Sequence, residues 1–159
     1  MRKDSRGFSL IELLIVVAII LIIAAIAIPN LLRSRIAANQ ASAVGSLRTL
    51  NTAEITYAST YNSGYSTTLK NLEPPSGPQP SATAAGLIDS VLAGGVKSGY
   101  GFTYTPGSLV GGRYDTYSIY ANPVTVGTTG TNFYFTDHSG VIRQDSAATA
   151  SAASTPLAG

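Results

Sequence analysis

Few residues of this chain have side chains able to do chemistry, and one of them stands in an unusual place. Glu12 is the only charged residue between Phe8 and Ile28, a stretch otherwise almost wholly apolar. A carboxylate inside a membrane-type helix costs about 2.5–3.5 kcal/mol at mid-span and less near an end. Such a charge calls for a partner. Elsewhere His138 lies beside Asp137, and Asp145 follows further along. The run Asp137-His138-Ser139-Gly140 has turn chemistry, so His138 reads as a solvated turn residue. Asp137 and Asp145 are too few oxygens for calcium, which wants several converging ligands. No H-E-x-x-H and no glycine-rich phosphate cradle occur, and no cysteine offers a thiolate or a disulfide. The residues therefore predict no catalytic group, no cofactor and no metal.

The element that positions Glu12 is an apolar run unbroken from Leu13 to Ile28. Extended back to Phe8, with Ser9 and Glu12 as its polar interruptions, it makes a helix of about 30 Å, the thickness of a bilayer's hydrocarbon core. A chain of this size has nowhere to bury such a helix on every face. Ahead of it stands the short polar segment Met1-Arg2-Lys3-Asp4-Ser5-Arg6-Gly7, so Gly7-Phe8 marks a sharp polar–apolar border. An ordinary secretory signal would have an A-x-A-like site, for which Ala25-Ile26-Ala27 would serve, but its apolar region runs about 7–15 residues. Neither that reading nor a plain single-pass anchor accounts for Glu12.

Gly7-Phe8-Ser9-Leu10-Ile11-Glu12, with its basic leader and apolar sequel, resembles the N-terminal signal of type IV prepilins and type II secretion pseudopilins. The resemblance covers about the first third of the chain. It implies a peptidase that cuts between Gly7 and Phe8 on the cytoplasmic face and methylates Phe8. It also implies that Glu12 neutralises the α-amine of a neighbouring subunit's Phe8 in an apolar filament core. Burying either charge alone is expensive, so the pair favours one axial register. The alternative for Glu12 is a carboxyl that snorkels or protonates at the membrane surface.

Charge and cysteine usage narrow the partners. Removal of residues 1–7 leaves seven basic and seven acidic side chains. A nearly neutral surface suits packing against copies of itself, and no specific nucleic acid is expected. Many type IV pilins pin their C-terminal region with a disulfide; this chain departs from that pattern. Arg2, Lys3 and Arg6 precede the span while Arg33 and Arg35 follow it, a thin positive-inside margin that places the N-terminus in the cytoplasm.

Beyond the span, Leu32, Ile36, Ala43, Leu47, Leu50 and Tyr57 recur with helical period as far as Tyr61, while Arg48 and Asn51 fall on other positions. Pro29 should kink this helix, because proline removes a donor and clashes with the carbonyl four residues back. Two helices hinged at Pro29-Asn30 are the alternative. Asn62-Ser63-Gly64 supplies a stop. A proline-rich excursion from Glu73 to Pro80 leads into an expected short helix, Ser81 to Leu92. From Gly99 the period becomes two. Strands are expected around Tyr100–Tyr104, Tyr114–Ala121, Phe133–Thr136 and Val141–Arg143, and a disordered tail from Ser146.

The expected fold is α+β, the pilin fold: a long N-terminal helix on a small antiparallel sheet of three or four strands. Its expected divisions are a leader (1–7), a transmembrane and filament-core helix (8–29), a periplasmic globular domain (30–145) and the tail (146–159). The function read from these features is a structural subunit that polymerises through its N-terminal helix into a type IV pilus or a type II secretion pseudopilus. The missing disulfide and the short C-terminal region lean towards the pseudopilus. The partners are further copies, the prepilin peptidase, an inner-membrane assembly platform and, before assembly, lipid. A membrane-anchored periplasmic binding module that never assembles is the competing reading, and an anchored enzyme a distant third. N-terminal mass spectrometry of the membrane-extracted protein should find methylated Phe8, and a bulky residue at Gly7 should leave the precursor uncut; a start at Met1 or Ile28 would refute this processing.

Overall fold

The computed structural model describes residues 8–157. They fall into two units that divide between Arg35 and Ile36. The first is the N-terminal part of helix α1, which as a whole runs Leu10–Tyr61 without interruption. No residue from Phe8 to Arg35 is buried, and aliphatic side chains such as Leu21, Ile22 and Ile26 lie exposed around it. Pro29 lies inside α1 and does not divide it into two helices.

The second unit is α+β. Its share of α1 packs Ala43, Leu47, Leu50, Ala53 and Tyr57 against Tyr100, Phe102, Tyr117, Ile119, Ala121 and Tyr134 of the sheet. The helix stops where Asn62 takes a positive φ of 53°. After it come a 3₁₀ turn at Leu69–Leu72 and a one-turn helix, α2, at Ser90–Ala93. The strands are β1 (Val96–Lys97), β2 (Tyr100–Pro106), β3 (Leu109–Val110), β4 (Arg113–Tyr114), β5 (Tyr117–Pro123), β6 (Phe133–Asp137), β7 (Arg143–Asp145) and β8 (Thr155–Pro156). Six of them make one antiparallel sheet in the order β1-β2-β5-β6-β7-β8, and β3-β4 form a separate ribbon. Its centre is β2 on β5, in register from Tyr100 opposite Pro123 to Pro106 opposite Tyr117. Along β5 the residues Tyr117, Ile119, Ala121 and Pro123 are buried in strict alternation, as a strand with one face on a helix requires.

Several expectations need correction. The sheet has six strands instead of three or four, because the two-residue edge strands β1 and β8 carry too little pattern to be seen, and the strand expected at Val141–Arg143 lies at Arg143–Asp145. The helix expected from Ser81 to Leu92 is confined to α2. Gly86 adopts a φ of +70°, which ends any helix there. The N–H groups of Ala85, Leu87 and Ile88 go instead to the carbonyls of Asn71 and Leu72. The strand expected over Tyr114–Ala121 is split, since the Tyr114 carbonyl accepts from Tyr65 N at 2.7 Å and draws β4 away from β5. In the segment expected to be a disordered tail, the described residues 146–157 make ordered contacts. Asp145 accepts from the N–H groups of Ala147 and Ala148 at 2.9 and 3.3 Å. Arg143 donates to the Ser154 carbonyl, Leu157 N to Ile142 O, and Ala150 is fully buried. Backbone and side-chain hydrogen bonds close a segment that has little apolar surface to bury.

Two buried polar residues fix α1 in this unit, Asn51 on the sheet and Glu54 on the segment that follows the helix. Asn51, which the helical period put off the stripe, is only 8% exposed. Its Nδ2 donates to Thr136 Oγ1 at 2.9 Å and to Gly140 O at 3.2 Å, while Tyr117 donates to its Oδ1 at 3.0 Å. Glu54, one turn on, is fully buried. Its carboxylate accepts from Ser66 N at 2.9 Å and Ser66 Oγ at 2.6 Å, and Tyr104 donates to Ser66 O. Burial raises the Glu54 pKa above the usual carboxylate value, and the Ser66 hydrogen bonds offset only part of that rise. An acid with a raised folded-state pKa destabilises the fold once ionised. Stability is therefore lost as pH rises through about 4.5, where the unfolded Glu is half ionised, and beyond. Asp89, Asp137 and Asp145, all with lowered pKa values, act in the opposite sense at lower pH. A fragment starting at Arg35 should fold alone, and its urea midpoint should fall between pH 4.5 and 7. Glu54→Gln should flatten that slope; an unchanged slope would show that Glu54 is not its source.

Candidate assembly site

At the start of α1, the sequence Ser9-Leu10-Ile11-Glu12 closes on itself. Ser9 N donates to Glu12 Oε2 at 3.0 Å, and Ile11 N donates to Ser9 Oγ at 3.3 Å. Serine before the first helical residue and glutamate three positions on form a reciprocal capping box, which satisfies N–H groups left open by the first turn. The Glu12 charge also lies at the positive end of the helix dipole. The spacing S-x-x-E is legible in the sequence, so this role of Ser9 was there to be read beside that of Glu12.

Glu12 Oε1 accepts no hydrogen bond among the described residues. One carboxylate oxygen thus serves the subunit's own helix while the other faces outward. Phe8, two residues before the helix, is 84% exposed. Gly7 and the basic leader lie outside the described residues. Around the site, α1 presents a surface long and apolar enough to cross a membrane.

The other chemistry-bearing residues do not converge. His138 is exposed in the turn after β6. Asp145 pairs with Phe133 at one end of β6, whereas Asp137 closes the other end. Four strand residues, about 13 Å, separate them. Burial pushes Asp137 up, but hydrogen bonds from the Ser139 hydroxyl and N–H outweigh it and hold the carboxyl low. The N–H groups of Ala147 and Ala148 hold Asp145 low. Each acid is engaged in its own turn, and they share no ligand site.

Comparison with known proteins bears on the same segment. Residues 2–28 match the family described as the prokaryotic N-terminal methylation motif. The type IV major pilin protein PilA of Myxococcus xanthus is 51% identical over 55 residues, covering 35% of this chain and 25% of that protein. The type IV wide pilus major component PilA4 of Thermus thermophilus is 62% identical over 37 residues, covering 23% of this chain and 28% of that protein. The chain thus spans only about a quarter of the length of these relatives. No solved structure is a significant match. An apolar helix opened by Ser9 and Glu12, carried on an α+β unit, agrees with the motif found: the chain bears the prokaryotic N-terminal methylation motif and is homologous, over the matched stretches, to type IV major pilins.

Proposed function

We propose that this chain is a pilus structural subunit that assembles through the apolar half of α1. The observation that carries this reading is the helix itself, exposed on all sides from Phe8 to Arg35 and interrupted by one carboxylate at its start. Copies of the same helix, stacked side by side, bury that surface once it has left the lipid. Both relatives are components of type IV pili by name, which supports a pilus over a pseudopilus.

The steps follow from the residues. A prepilin peptidase removes residues 1–7 between Gly7 and Phe8 and methylates the new α-amine, leaving residues 8–29 as the span. Before assembly the subunit sits in the inner membrane with Phe8 towards the cytoplasm and its folded unit in the periplasm. An assembly platform in that membrane draws it into the filament. There the outward oxygen of Glu12 accepts the Phe8 amine of a neighbour, while the oxygen bonded to Ser9 keeps the carboxylate oriented. Pro29 bends α1 where its missing N–H leaves a carbonyl free. The subunit acts by packing and carries out no catalysis.

Glu12→Leu separates this reading from a membrane-anchored binding module. The change removes a charge from the span, so insertion should be at least as good as before. Cleavage after Gly7 should survive. In a filament, however, a neighbour's amine would be left without its partner, at about 3–5 kcal/mol for an unpaired buried charge. Electron microscopy and fractionation should then show a processed, membrane-held, unassembled subunit. Normal filaments from Glu12→Leu would overturn the pairing.

A further inference from the structure

Two surface features of the folded unit are complementary. One is a knob. The β3-β4 ribbon pairs with itself alone and is tied to the unit through Tyr114, which bonds the backbone of Ser63 and Tyr65. Its turn is Gly111-Gly112, with φ of +58° and +82°, as a two-residue type I′ hairpin requires. Nothing lies within 4 Å of where a side chain would begin at either glycine, so the tip stands clear. Leu109 and Val110 on it are 58% and 66% exposed.

The other is a socket. On α1, the hydroxyls of Thr49, Thr52 and Thr56 donate to the carbonyls of Gly45, Arg48 and Thr52, each four residues back. Their polar atoms are thereby satisfied within the helix, and the methyl groups make up the outer face. With Ala53, Leu87 and Arg48 these threonines line an open, mainly apolar groove of about 340 Å³. Arg48 makes no ion pair among the described residues. Asp115, next to the ribbon, is 64% exposed at its side chain and meets Arg113 only at 3.5 Å.

We propose that the Leu109–Val110 tip of one subunit seats in the Arg48–Thr56 groove of a second copy, with Asp115 facing Arg48. The proposal rests on the assembly reading above and adds a contact between folded units to it. Knob and socket are different surfaces, so the contact is heterologous and repeats as an open chain instead of closing a two-fold dimer. They also stand at different levels of α1. The groove centres on Thr52 and the ribbon is fastened beyond Tyr61, about 14 Å further along the axis. Copies joined this way are staggered.

The sequence has no cysteine, so paired cysteines report the contact without background. Filaments of full-length Thr52→Cys/Val110→Cys protein, mildly oxidised, should give a ladder of dimers, trimers and higher rungs that reductant removes. Either single variant should give nothing beyond a dimer. Filaments of normal yield without a ladder overturn the contact and leave the subunit reading standing; a natural chain that forms no filaments overturns both. If the cysteines themselves block assembly, the charges decide. Arg48→Glu should lower filament yield at least tenfold, and Arg48→Glu/Asp115→Arg should restore it. An Arg48→Glu yield equal to that of the natural chain, or no restoration in the double variant, overturns the pairing.

Discussion

The structure depends on a helix that its own chain leaves uncovered. From Phe8 to Arg35 the side chains of α1 are exposed, and most are large aliphatic groups. At about 25 cal/mol per Å² of apolar surface, water is the one surrounding such a helix cannot accept. Lipid or other apolar helices remain, and in the proposed function membrane anchoring and polymerisation are two answers to one constraint. The division of labour along α1 follows from it. Residues before Ile36 are selected for an environment outside the subunit, and residues after it for the inside.

Glu12 is where that constraint is sharpest. A carboxylate at the first turn of an apolar helix is tolerable because the turn's open N–H groups and the helix dipole already favour negative charge there. Ser9 uses one oxygen for this purpose. The same cap that lowers the charge's cost leaves the other oxygen without a hydrogen bond among the described residues. Moved one turn deeper, the carboxylate would lose the cap and stand alone in hydrocarbon.

Much of this was legible in the sequence, for specific reasons. The apolar run, the Gly7-Phe8 border and Glu12 are strong local signals, and Tyr100–Tyr104, Tyr117–Ala121 and Phe133–Thr136 alternate as strands should. The spacing Leu47, Leu50, Glu54, Tyr57 put Glu54 on the buried face, but a stripe read from apolar residues alone passes over it. Asn51 escaped because amide burial depends on partners from β5, β6 and the turn at Gly140, all distant in sequence. The tail escaped for a related reason. Its order comes from backbone groups held by Asp145 and Arg143, and composition carries no trace of them. The cap of α1 is the opposite case, since S-x-x-E carries it within four residues.

The burial of Asn51 has a mechanical consequence. A slip of one turn, 5.4 Å, between α1 and the sheet would pull Asn51 from Thr136, Gly140 and Tyr117 and leave its amide unpaired in the core. The helix therefore cannot ratchet along its sheet in small steps. Tension applied along α1 reaches the sheet at one height, where several hydrogen bonds share the load in shear and must break together.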